Sequence, residues 1–90
     1  MSAVERFRLS VLSEALRLRE VVKGEKRLEV EVEALIHELD ATPFDVHRLY
    51  RVMRRLHALS SELRGKIEVK VPSFEEVREV AMSIIRGGSK

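Results

Sequence analysis

Basic side chains concentrate on one side of the segment 43–64. At about 100° per residue, a helix over this segment carries apolar residues on one face and basic residues on the opposite face: His47, Arg48, Arg51, Arg54 and Arg55. Guanidinium groups are planar, remain charged at physiological pH, and bind phosphates or guanine edges through paired hydrogen bonds. The spacing therefore predicts a cationic surface on a rigid helix, suited to an anionic partner.

The boundaries of this predicted helix are marked by residues with local preferences. Thr42 can cap its start, Pro43 suits its first position, and Gly65 follows its end. A helix over 43–64 then buries one apolar face in the core: Val46, Leu49, Tyr50, Val52, Met53, Leu56, Leu59 and Leu63.

The segment before the basic helix resembles the first half of a helix–turn–helix unit. Residues 33–40 suit a short helix, and apolar residues stand where two such helices lock together: Leu35, Leu39, Ala41, Val46 and Leu49. The chain departs from the pattern at Ile36, where a small residue is usual, and at Asp40, where glycine is usual. The resemblance implies DNA binding, with Arg48, Arg51, Arg54 and Arg55 on the phosphates and with three residues near the bases: Thr42, His47 and Arg48.

The arginine face also fits two interpretations that do not involve nucleic acid. Residues 25–42 carry a net charge of −4 and residues 43–66 a net charge of +4. The acids of the first segment are therefore candidates for internal ion pairs with the arginines: Glu29, Glu31, Glu33, Glu38 and Asp40. In the second interpretation, the arginine face binds an acidic protein partner.

The first 22 residues predict a helix with two apolar stripes. The longer stripe is nearly a heptad repeat, and the shorter stripe of Leu9, Leu12 and Leu16 lies on a different side. Either both stripes pack within the chain, or one forms a homodimer interface. For the interface we expect the longer stripe: Val4, Phe7, Val11, Leu18 and Val22. The alternative function is accordingly a structural or adaptor subunit that self-associates or packs against a protein partner through the apolar faces of this helix.

Residues 25–40 fit two descriptions. They suit one helix from about Glu25, or a strand at 27–32 that pairs with 66–71 and precedes a short helix. With the strands, the order of elements resembles a winged-helix core in topology alone. A last helix follows the capping box of Ser73 and Glu76, with its apolar residues inward: Phe74, Val77, Ala81, Ile84 and Ile85. We expect a mainly α bundle of about four helices, with one domain over 1–86 and a flexible tail over 87–90.

Composition excludes several functions. The chain has no cysteine, so disulfides and thiolate chemistry are absent, and it has no asparagine or glutamine, which is typical of heat-adapted proteins. No apolar run exceeds three residues, so we expect no membrane span or signal peptide and a cytoplasmic protein. Glu33 and His37 form only a pair, and no nucleophile has a base at a recognisable spacing. We therefore expect no metal, no cofactor and no enzymatic activity.

Overall fold

Four α-helices make up the part of the chain that the computed structural model describes, residues 2–87. They are α1 (Ala3–Val21), α2 (Lys26–Asp40), α3 (Val46–Glu62) and α4 (Phe74–Ile85). Helix α2 packs between α1 and α3, and α4 contacts both α1 and α3, so α1 and α3 lie on a diagonal of the bundle. The predicted small helical bundle is confirmed.

The possible β element does not form, because no strand occurs between residues 2 and 87. Residues 27–32 belong to α2, and 66–71 form part of an unpaired connection between α3 and α4. The helical conformation is favoured over the strand because it buries four apolar side chains on one face: Leu28, Val32, Leu35 and Leu39. Val30, the residue that favoured a strand, is 68% exposed. The winged-helix topology is therefore wrong.

Helices α2 and α3 run antiparallel along their whole length. Arg27 at the start of α2 contacts Glu62 at the end of α3, while Glu38 near the end of α2 contacts Arg48 near the start of α3. A helix–turn–helix unit instead joins its helices at a steep angle, about 90–120°. Side-by-side packing thus replaces the helix–turn–helix geometry that the sequence resembled.

Helix α3 begins three residues later than predicted. Asp45, not Thr42, is the cap, and its carboxylate accepts the backbone N–H of Arg48 at 2.9 Å. The reason is Phe44, which is buried and packs its ring 6.3 Å from that of Phe7. Anchoring Phe44 in the core holds the preceding residues, including exposed Pro43, outside the helix.

The longer stripe of α1 lies in the core of the single chain. All five residues predicted for a dimer interface have 2% exposure or less, so that prediction is wrong: Val4, Phe7, Val11, Leu18 and Val22. They pack against the buried faces of the other helices because only the longer stripe faces the bundle axis. The shorter stripe stays at the surface, with Leu9 54% and Leu16 43% exposed.

Helix α4 buries less of its predicted apolar face than expected. Val80 is fully buried and Val77, Ala81 and Ile84 are half-buried, but Phe74 and Ile85 point to solvent. The connection 63–73 reaches α4 by crossing α1, where Val69 enters the core. Of the predicted tail 87–90, residues 88–90 lie outside the described residues.

None of the described helices has both the length and the apolarity that a membrane crossing needs.

Candidate nucleic-acid interface

From Val46 to Ser61, the outward side of α3 carries cations and no acid. The sequence contains no aspartate or glutamate between Asp45 and Glu62. Opposite the buried face of the helix lie the side chains that we call the cationic face: His47, Tyr50, Arg51, Arg54, Arg55 and His57. Tyr50 was predicted to lie at the edge of the core face but is 62% exposed, and Val46 of the same predicted face is also exposed. The aromatic ring therefore belongs to the same surface as the arginines.

One buried carboxylate holds three of the four predicted arginines. Glu38 of α2 accepts a hydrogen bond from Arg48 Nη1 at 2.9 Å and from Arg51 Nε at 3.1 Å. The Nε atom of Arg55 lies 3.7 Å from the same carboxylate. Glu38 is only 8% exposed, so these pairs form at the base of the groove between α2 and α3.

The arginines keep Glu38 ionised. Burial alone raises the pKa of this carboxyl, but the hydrogen bonds and charges of Arg51 and Arg48 outweigh burial and bring the pKa below its ordinary value. Glu38 thus contributes one negative charge against three guanidinium charges. Two positive charges remain uncompensated by this carboxylate.

Three other acids of α2 have their hydrogen-bond or ion-pair partners elsewhere. Glu33 pairs with Arg19 of α1 at 2.8 Å, Glu31 pairs with Arg27, and Glu29 accepts the backbone N–H of Gly24. Within residues 2–87, Glu38 alone among the predicted acids forms ion pairs with the arginines of α3. Internal neutralisation is therefore real but partial.

Of the four arginines predicted to bind phosphates, Arg54 has the freest head group. No carboxylate of the described residues lies within ion-pair distance of it, and its guanidinium stands 5.8 Å from the centre of the Tyr50 ring. Arg54 also lines a shallow cleft of about 240 Å³ with Glu31, Arg51, Arg55 and Ala58. A cation over an aromatic face is held by the quadrupole of the ring, so Arg54 is oriented while remaining exposed to solvent.

The three residues predicted to approach bases differ in exposure and in their partners. Thr42 lies in the connection before α3 and His47 in its first turn, both exposed. Arg48 is instead held by Glu38, with its side chain 25% exposed. Its Nε atom is buried and has no hydrogen-bond partner among residues 2–87. Arg48 therefore joins α2 to α3.

Sequence reasoning did not single out Glu38 as the organiser of this surface. A helical projection of the sequence does contain a signal for it. Glu31 and Glu38 stand seven residues apart on one side of α2, beside the apolar stripe. Between residues 2 and 87, no three histidine, aspartate or glutamate side chains are placed to hold a metal ion. The charged side chains exposed on this surface are guanidinium cations, so the surface suits an anionic ligand.

Comparisons with known proteins add no assignment: no family model matches the chain, and neither a curated protein nor a solved structure matches it significantly.

Proposed function

We propose that this chain binds double-stranded nucleic acid, DNA in preference to RNA, through the cationic face of α3. The observation that carries the proposal is the excess of guanidinium groups over carboxylates on that face and in the groove beside it. Arg48, Arg51 and Arg55 share the single carboxylate of Glu38, and Arg54 has no acidic partner in the described part of the chain.

Uncompensated cations on a rigid surface gain free energy by displacing counterions from a phosphate backbone. Each phosphate neutralised by an arginine or lysine releases condensed counterions, so affinity falls steeply as salt rises. Arg51, Arg54 and Arg55 stand at spacings of three and one residues on one helix. They present a fixed array instead of three independently mobile charges, which lowers the entropy lost on binding.

The proposed contacts are with the phosphate backbone and not with base edges. Reading bases in the major groove requires a helix to enter a groove about 8.5 Å deep. Helix α2 lies alongside the whole of α3, and Arg48 in the first turns of α3 is bound to Glu38. The exposed groups that remain, Arg54 and the Tyr50 hydroxyl beside it, are donors of the kind that contact phosphate oxygens.

The test is the salt dependence of binding to a fluorescently labelled DNA duplex, measured by anisotropy. We expect log Kd to change linearly with log salt, with a slope of about 0.9 per phosphate neutralised. Arg54→Ala should weaken binding and reduce the slope by roughly one contact. Arg51→Ala and Arg55→Ala should do the same.

Lys26→Ala is the matched control. It removes one exposed positive charge from the start of α2, away from the cationic face, and should leave the slope unchanged. Loss of binding in Lys26→Ala equal to that in Arg54→Ala would overturn the assignment of the face. Absence of binding at about 10 μM protein in low salt would overturn the proposed function itself.

Two competitors separate the proposed ligand from the alternatives. Unlabelled duplex DNA should displace the probe better than duplex RNA of the same length, and better than polyglutamate of equal charge. Equal displacement by polyglutamate would instead support the acidic protein partner, because such a surface would then recognise charge density without phosphate geometry.

A further inference from the structure

The shorter stripe of α1 leaves an apolar surface at the edge of the bundle. Leu9 and Leu16 are exposed and Leu12 is half-buried. Leu9 and Leu12 also line a groove of about 440 Å³ between α1 and α2, together with half-buried Ile36 of α2. Contiguous apolar surface of this kind on a small domain marks an interaction site.

The shorter stripe is part of a longer heptad pattern on the same side of α1, which we call the seam. Residues at alternating intervals of four and three lie along one line of α1 and its C-terminal turn: Glu5, Leu9, Leu12, Leu16, Arg19 and Lys23. The five positions within α1, from Glu5 to Arg19, cover roughly 21 Å of helix. Intervals of four and three are the pattern by which one helix packs against another as a coiled coil.

We propose that the shorter stripe binds a second copy of this chain, with the two α1 helices antiparallel about a two-fold axis. In the register centred on the seam, Leu12 lies opposite the partner's Leu16, and Leu9 lies opposite the aliphatic stem of the partner's Arg19. At each end, Glu5 lies opposite the partner's Lys23. A two-fold axis repeats every one of these contacts, so the interface is self-complementary.

Charge selects the antiparallel direction. A parallel pair would place Glu5 against the partner's Glu5 and Lys23 against the partner's Lys23, and like charges that face each other disfavour pairing. The antiparallel register replaces both repulsions with attractions. Arg19 fits the inner position because its guanidinium already pairs with Glu33 at 2.8 Å, leaving its methylene groups to cover a leucine.

The rest of the fold is compatible with this dimer. Helix α1 contacts α2 and α4, and α3 lies diagonally across the bundle. Pairing through α1 therefore leaves the cationic face of α3 uncovered. The dimer does not depend on the proposed nucleic-acid binding and can be tested without any ligand.

The first test is the oligomeric state by sedimentation and light scattering over about 1 to 500 μM protein. We expect the wild-type chain to pass from monomer to dimer within this range. The double variant Leu9→Gln with Leu16→Gln should raise the dimer dissociation constant roughly a hundredfold or more, because both leucines of each chain lose their burial. A wild-type chain that is monomeric throughout overturns the proposal.

Two matched controls make the same kind of change elsewhere. Val30 of α2 and Phe74 of α4 are exposed by 68% and 80% and lie outside the seam. Val30→Gln and Phe74→Gln should each leave the dimer unchanged. If Phe74→Gln abolishes the dimer while the leucine variant does not, the interface lies on α4 and the proposal fails. Circular dichroism of each variant verifies that the monomer remains folded.

The second test determines the direction and register of the two α1 helices in the dimer. Glu5→Lys alone should weaken the dimer, because two lysines then face each other at both ends. Combining it with Lys23→Glu should restore dimerisation, since each introduced lysine then faces an introduced glutamate. A parallel pair instead predicts that Glu5→Lys does not weaken the dimer, because it replaces one like-charge contact with another. That result would overturn the antiparallel register even if a dimer forms.

Discussion

At the scale of single residues, the role of each arginine on α3 depends on its distance from Glu38. Arg48 is hydrogen-bonded to that carboxylate, has little exposure and stabilises the packing of α2 on α3. Arg51 and Arg55 contact Glu38 through Nε but keep about two-fifths of their side chains exposed, 43% and 42%. Arg54 has no such contact within residues 2–87 and keeps its head group in solvent. Four similar residues thus divide into structural and surface groups.

Replacing Glu38 with glutamine tests this division. The change removes the carboxylate that the three guanidiniums share, so we expect the free energy of unfolding to fall by about 1–3 kcal/mol. The same change removes one negative charge from the groove, so affinity for duplex DNA should rise. Urea unfolding and anisotropy measure the two effects separately. Weaker binding by a folded Glu38→Gln protein would mean that Glu38 matters by orienting the arginines, not by opposing their charge.

At the scale of elements, a buried carboxylate attaches the connection 63–73 to α1. Glu14 accepts hydrogen bonds from Arg17 at 2.6 and 3.0 Å and from the backbone N–H of Lys70 at 2.8 Å. Arg17 also donates to the carbonyl oxygen of Glu68. This cluster supplies hydrogen bonds to a segment that lacks strand or helix partners, which positions α4 against the bundle.

The stability contributed by Glu14 should depend on pH. The hydrogen bond from Arg17 and that from Lys70 outweigh burial, so the pKa of Glu14 lies below the ordinary 4.5. A carboxyl with a lowered pKa in the folded state stabilises it above the ordinary pKa, and this stabilisation is lost as the pH falls through the lowered value. Glu14→Gln should therefore cost about 1–3 kcal/mol near neutral pH.

That cost should shrink once the pH falls below 4.5. Urea unfolding of both proteins between neutral pH and about pH 3 provides the measurement. A difference that stays constant over this range would show that the amide loses packing or geometry, and not the charged interaction with Arg17. Glu20→Gln is a suitable control, since Glu20 is exposed and pairs only with nearby Lys23 among the described residues.

At the scale of the whole molecule, ion pairs connect neighbouring helices around a small core. Arg19 joins α1 to α2, Arg27 joins α2 to the end of α3, and Glu38 joins α2 to the start of α3. Isolated surface pairs contribute little at room temperature. Their desolvation cost falls as temperature rises, so networks of this kind stabilise proteins mainly at high temperature.

We therefore expect a thermal midpoint above the range of about 45–65 °C that is usual for domains from moderate-temperature organisms. The absence of asparagine and glutamine supports the same expectation, because both side chains degrade on heating. Differential scanning calorimetry at low salt measures the midpoint, and Arg27→Ala should lower it. A midpoint within the ordinary range would contradict heat adaptation.

Helical content and most of the buried face of each long helix follow from local periodicity. The spacing of Leu49, Val52, Leu56, Leu59 and Leu63 predicts the buried side of α3, and all five are buried. Periodicity works here because the apolar side chains must share one face whatever that face contacts. It does not say which partner covers a face, and so it also allows a dimer interface on the longer stripe of α1, which lines the core instead.

Three features could not be predicted from local sequence because they depend on long-range contacts. They are the start of α3, the direction of α2 and the charge state of the arginine surface. Phe44 reaches Phe7, far away in sequence, and that contact moves the helix cap from Thr42 to Asp45. Glu38 meets Arg48, Arg51 and Arg55 because α2 lies antiparallel to α3. Propensity and spacing are local properties of the chain, whereas ion pairing depends on which helices become neighbours after the core has packed.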